Sequence, residues 1–349
     1  MKKLYILHEY NTPAHFQALY KAGPENGYKI EKFIVISKKY LFQTFIHELH
    51  HSKKPFSVIA SYLKKFVRTW TVKKLEGQIL LVGIAPYNTL MNRYEKLFRK
   101  NFCIYFTSWD TWDGSKFPKG CLKNRENYER ILKEDFKGIA CVTKRVQEAV
   151  SFLGLPTKVV YHSISTQKYK PDGEKDIHSP LKFVYVGQFI ERKGIDFIIR
   201  FAKENPDVNF SLDMLGGGAL EADVNQLCRK DHRIHNLGFQ PKDYIQTILR
   251  NYDFMILPTR AEPFGIVIIE SMAAGTPVLV SDVTGPKEII TDNEDGFFFM
   301  NGNYKDFEEK LKKLFAIDNE KYLKLQKNAI LSAKKYDESE LVKKWIELF

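Results

Sequence analysis

Apolar runs short enough for strands alternate with helix-length patterns along the chain. The alternation breaks at Lys168 to Pro180, KYKPDGEKDIHSP, which is polar, holds prolines and a glycine, and has no apolar period. Strands separated by helices run parallel, because a helical crossover returns the chain to the same end of the sheet by a right-handed path. The pattern predicts an α/β protein of two doubly wound, Rossmann-like domains: residues 1–167, a linker at 168–180, and residues 181–334. A length of 349 residues suits two cores of roughly 150 to 200 residues each. In the second domain the runs predict strands at 181–186, 209–215, 233–237, 254–257 and 277–281, with helices between them and over most of the remainder. Two such domains leave a cleft, and ligands of such sheets sit beyond the carboxyl ends of the strands.

Composition narrows the class further. The four cysteines, Cys103, Cys121, Cys141 and Cys228, form no CxxC pair and read as reduced thiols. The N-terminal apolar run, Leu4 to Leu7, is too short for a signal peptide, and no segment reaches the ~20 apolar residues that cross a bilayer. A cytoplasmic protein is expected. The net charge of +12 is uneven: residues 1–170 hold 30 Lys and Arg against 13 Asp and Glu, the remainder 24 against 29. Lys53 to Lys74, KKPFSVIASYLKKFVRTWTVKK, carries seven positive charges and no acid, with apolar residues at helical spacing. Such a helix can pack inward beneath solvated lysines, or hold an anionic membrane surface as a peripheral protein does. Nucleic acid would also suit basic and aromatic residues, but no recognised motif supports it.

Three loops of the second domain follow strands and precede helices. In GQFIERKG, Gly187 to Gly194, the glycines allow close backbone approach, and Arg192 and Lys193 supply charge for phosphates. Gly216, Gly217 and Gly218 suit an anion or a ribose on bare backbone. The third, EPFGIVIIE, sets Glu262 and Glu270 eight positions apart across a strand-to-helix turn. Pro263 suits a first helical position, Gly265 leaves the opening turn accessible, and Gly275 with Pro277 stops the helix after Ala274. Glu262 could cap that helix instead of meeting a ligand. Glu270, in an otherwise apolar helix, needs a hydrogen-bond partner if buried.

Together GQFIERKG, the LGGG segment, Asn236 to Gly238, FMILPT, EPFGIVIIESMAAGTPVLVSD and DGFFF resemble, in order, the nucleotide-sugar domain of glycosyltransferase family 4, of the GT-B fold. The resemblance covers about residues 135–300. It implies two Rossmann-like domains facing across a cleft, with a helix at 335–349 packing back toward the first. It implies a retaining enzyme that moves a sugar from a nucleoside-diphosphate sugar, which is a substrate, with no cofactor and no metal. Glu262, the first glutamate of the EX7E pattern, would hold donor-sugar hydroxyls near the Phe264 and Gly265 amides, and Glu270 the nucleotide ribose. Lys193 would neutralise the diphosphate, assisted by amides at Gly265, Ile266 and Val267. Gly187, Gln188, Arg192, Gly216 and Gly217 complete the donor-binding set.

The chain departs from the family in places. Gln188 stands where Arg is frequent, His162 to Ser165 replace an asparagine-glycine loop, and His8, Glu9, Tyr10 and Asn11 replace a glycine-rich turn. The family's first-domain histidine has no clear counterpart. The nearest strand end, TSWDTWDG, offers Asp110 as a catalytic or sugar contact beside Trp109, Trp112 and Asp113, although a packed loop fits equally. The acceptor implied is a saccharide, lipid-linked, in surface polysaccharide or lipopolysaccharide assembly. Rivals are a GT-B epimerase or phosphorylase, and a non-catalytic nucleotide-sugar-binding protein.

Overall fold

The computed structural model describes residues 1–8, 16–35, 56–57, 59, 71–112 and 120–349. The basic stretch Lys53 to Lys74 therefore lies largely outside the described residues, as do Glu9, Tyr10, Asn11 and Asp113. The chain divides into two compact units, Met1–Tyr161 with Val342–Phe349, and His162–Leu341.

The first unit runs β1 (Lys2–His8), α1 (Gln17–Ala22), β2 (Tyr28–Ile34), β3 (Gln78–Val82), α2 (Leu90–Lys100), β4 (Phe102–Thr107), α3 (Arg125–Asp135), β5 (Gly138–Cys141), α4 (Lys144–Ala149) and β6 (Thr157–Val159). Its strands form one parallel sheet in the order β2-β1-β3-β4-β5-β6. Residues 103–107 and all of β5 are buried, which explains why these strands read as continuous apolar runs and not as alternation. On α2, Leu90, Met91, Tyr94, Leu97 and Phe98 form the buried stripe expected at spacings of three and four. Thr143 begins α4 in extended conformation, and its Oγ1 accepts the Val146 amide at 3.2 Å. Thr143→Ala should therefore lower unfolding stability by about 1 kcal/mol, read as a drop in the urea midpoint.

The second unit runs β7 (Leu181–Val186), α5 (Ile195–Glu204), β8 (Phe210–Leu215), α6 (Glu221–Lys230), β9 (Ile234–Gly238), α7 (Lys242–Ile248), β10 (Phe254–Leu257), α8 (Ile266–Ala273), β11 (Val278–Ser281), α9 (Thr284–Ile289), β12 (Gly296–Phe299), α10 (Tyr304–Leu314) and α11 (Asn319–Ala333). Its sheet is parallel, in the order β12-β11-β10-β7-β8-β9. The strand order reverses between β7 and β10, the switch point at which the loops diverge and leave room for a ligand. Two expectations change here. Gly296–Phe299, in a region expected to be mostly helical, forms the edge strand, paired with β11 from Val278↔Gly296 to Ser281↔Phe299. Pro263 lies outside α8, which starts at Ile266 after Gly265 at φ 104°, ψ 57°.

The polar stretch 168–180 is held by this unit. Asp253, fully buried, accepts the His178 amide at 3.1 Å, His178 Nδ1 at 2.7 Å and the Lys182 amide at 2.7 Å. Lys175 Nζ lies 3.6 Å from the same carboxylate, and burial pulls its pKa down to about 8. The last helix, α12 (Glu338–Ile346), starts in the second unit, and its residues from Val342 group with the first. There Trp345, fully buried, packs edge-on to Phe16 at 5.3 Å between centroids and tilted against Phe106 at 5.4 Å. Among the described residues no helix is long and apolar enough to cross a membrane.

Candidate functional site

At the switch point of the second unit, the loops leaving β7 and β10 are laced together before either reaches its helix. The Glu191–Lys193 turn ends at Gly194, φ 71°, where a Cβ would lie 1.7 Å from the Pro258 carbonyl oxygen. Only glycine lets the two loops meet there. The Arg260 amide donates to the Arg192 carbonyl at 2.7 Å, and Arg192 Nη1 donates to the Ala261 carbonyl at 2.7 Å. Arg260 also grips both carboxylate oxygens of Asp196, at 2.8 and 2.6 Å.

This lacing fixes the chemistry. Lys193 Nζ lies 2.5 Å from Glu262 Oε2, with the two side chains only 12% and 14% exposed. Glu262 is thus an ion-pair partner and not a helix cap, since α8 opens on Gly265 without a side-chain cap bond. Lys193 carries three N–H groups, and among the described residues only Glu262 takes one; Glu262 Oε1 has no partner there. The amides of Ile268 and Ile269 return to the Gly265 carbonyl, whereas those of Ile266 and Val267 find no acceptor among the described residues. The result is a cation, two open amides and an open carboxylate oxygen around one strand-to-helix turn.

Glu270, one turn farther along α8, is 8% exposed. Its Oε1 accepts the Tyr169 hydroxyl at 2.6 Å and lies 3.1 Å from Lys242 Nζ. Burial first, and then the Glu270 charge, pushes the Tyr169 phenol well above its ordinary pKa, so it stays a donor. Neither Tyr169 nor Lys242 was picked out from the sequence. The requirement that a buried carboxylate be paired is the signal that pointed to some such partner.

The remaining predicted residues divide. Gly187, Gly216 and Gly217 are brought together: a Cβ on Gly216 would lie 1.9 Å from the Gly187 carbonyl oxygen, and the Phe189 amide donates to Gly217 at 2.9 Å. Contact between loops thus accounts for Gly216 without a ligand. The Arg192 guanidinium is engaged with a backbone carbonyl, and the Gln188 side chain is exposed while its carbonyl accepts the Tyr185 hydroxyl at 2.8 Å. Phe264 is buried, its ring 5.4 Å from that of His162. In the first unit Asp110 is half-buried just past β4, but Trp112 belongs to the core, edge-on to Tyr87 at 5.9 Å and Tyr105 at 6.3 Å. A packed loop describes Trp112 better than a sugar platform does. Among the described residues no group of three or more His, Cys, Asp or Glu is placed to hold a metal.

A groove of about 690 Å³ lies elsewhere on the second unit, between α5 and α6. Its buried cation, Arg233, is taken up by Asp231 and by the carbonyls of Ala202, Asn205 and Val208.

Residues 169–332 match the family model described as glycosyl transferases group 1. An uncharacterised glycosyltransferase of Methanocaldococcus jannaschii is 28% identical over 238 residues, 60% of this chain and 65% of that protein. The N,N'-diacetylbacillosaminyl-diphospho-undecaprenol α-1,3-N-acetylgalactosaminyltransferase of Campylobacter jejuni is 28% identical over 172 residues, 49% of this chain and 41% of its own. The chain thus spans less than two thirds of either relative. The crystal structure of Anabaena HepE in complex with UDP superposes with a TM-score of 0.73 over 99% of both chains at 18% identity, a shared fold.

Proposed function

We propose, from the match of residues 169–332 to the glycosyl transferases group 1 model, that the chain is a retaining glycosyltransferase that takes its sugar from a nucleoside-diphosphate donor. The observation that carries this reading is the low-exposure Lys193–Glu262 pair beside the open amides of α8. Cation and amides suit the diphosphate, and the free Glu262 oxygen suits a donor-sugar hydroxyl.

In the reaction the bond from the anomeric carbon to the diphosphate oxygen breaks, and its electron pair leaves with the diphosphate. Lys193 and the Ile266 and Val267 amides stabilise that developing charge. The acceptor hydroxyl forms the new bond from the face being vacated, which retains configuration, and its proton passes to the departing phosphate oxygen. Lys193 and the amides supply the positive charge that a divalent cation provides elsewhere, so no metal is required. Asp110 remains a candidate contact for the sugar or acceptor. A lipid-linked saccharide acceptor is supported by the Campylobacter relative's name and by the excess of positive charge in the first 170 residues, which suits work at an anionic membrane surface.

The test is to incubate the purified chain with a panel of nucleoside-diphosphate sugars, with and without EDTA. Slow release of nucleoside diphosphate from one donor, undiminished by EDTA, is expected; with acceptor present, NMR should show the donor's anomeric configuration in the product. Isomerised donor without release would indicate an epimerase. Tight binding with neither outcome would indicate a binding protein.

A further inference from the structure

The second glutamate is held asymmetrically. Tyr169 and Lys242 both meet Glu270 at Oε1, and Oε2 has no partner among the described residues. Although Glu270 as a residue is only 8% exposed, Oε2 is not sealed off from solvent, so it is the oxygen left open to an arriving ligand. The Tyr169 side is rigid. Its ring is 2% exposed, and Gln246 Nε2 donates to its oxygen at 3.4 Å, which leaves the single hydroxyl proton to Glu270. Tyr169 and Lys242 reach the site from separate segments, one in the 168–180 stretch and the other at the start of α7, so the convergence on one oxygen is not a product of local helix geometry.

We propose that Tyr169 and Lys242 are positioning residues that pin Oε1 of Glu270 and so present Oε2 to the vicinal hydroxyls of the nucleotide ribose. The inference rests on the reading of the second unit as a nucleoside-diphosphate site, and it makes discrimination for ribose depend on residues that do not touch the nucleotide.

The probes are UDP and 2',3'-dideoxy-UDP, with the GDP pair run in parallel, titrated by calorimetry. The parent protein should prefer the ribonucleotide by on the order of 100-fold. Tyr169→Phe keeps the buried ring and should cut that preference about tenfold by weakening the ribonucleotide alone. Lys242→Met changes an exposed side chain with little risk to folding, and should lower the preference about threefold. Glu270→Ala should abolish it, and Tyr169→Phe should then add nothing. Loss of preference in Glu270→Ala, with full preference in both Tyr169→Phe and Lys242→Met, overturns the positioning role and leaves the site intact. A preference that survives Glu270→Ala, or no binding of either nucleotide pair, overturns the reading of the site and the proposal with it.

Discussion

Glu262→Ala should lower sugar transfer by on the order of a thousandfold while leaving nucleoside-diphosphate binding intact or tighter. The two effects diverge because of the pairing at 2.5 Å. Removing the carboxylate deletes the group placed to meet the donor sugar, so the loss appears once the sugar must be held and its bond broken. The same change releases Lys193, which is left poorly hydrated and without a counter-charge. A diphosphate is then its best available partner. Lys193→Ala should do the reverse, weakening the diphosphate itself and leaving the Glu262 carboxylate unpaired. Initial rates of nucleoside-diphosphate release in the presence of acceptor, set beside calorimetric affinities, separate the two. Near-normal transfer by purified Glu262→Ala would sink the assignment of this turn to the donor sugar.

Gly194→Ala should destabilise the second unit by about 3 to 5 kcal/mol, well beyond what a methyl group on a surface loop normally costs. Two penalties add. An L-residue at φ 71° is strained by roughly 1 to 2 kcal/mol. The new carbon, 1.7 Å from the Pro258 carbonyl, also forces the loops after β7 and β10 apart. That displacement would separate Lys193 from Glu262, so activity should fall together with the urea midpoint. Gly302→Ala is the control: it has φ 75° and nothing within 4 Å of the added carbon, so it should show the backbone penalty alone. Equal midpoints for the two variants would show that the close approach contributes nothing.

The parts of this molecule that could be read in advance share one property. At β7 and β10 the burial of both faces writes an uninterrupted apolar run, and the predicted bounds, 181–186 and 254–257, match the strands. The end of α8 was legible from Gly275, which adopts φ 74°. Its start was not: Pro263 looks like a first helical residue, but the backbone turns at Gly265 before the helix begins. The strand β12 was missed because GFFF is short and lies among helical patterns, and only pairing with β11 identifies it. Glycine clusters were ambiguous for a different reason. A sequence shows that backbone comes close to something, but the partner at Gly216 is the Gly187 carbonyl, far away along the chain. Likewise, a buried carboxylate at Glu270 announces that it needs a donor, yet Tyr169 lies 101 positions earlier, in a stretch without apolar period.

Trp345 has a consequence for how the protein is made. Its ring completes the aromatic cluster of Phe16 and Phe106, so the first unit is discontinuous along the chain. During synthesis the ribosome must deliver all of His162–Leu341 before that ring exists. The usual vectorial order, in which the domain nearest the N-terminus folds first, therefore cannot by itself complete this core. The seam between Phe16 and Phe106 stays uncovered until a residue encoded beyond the other unit arrives.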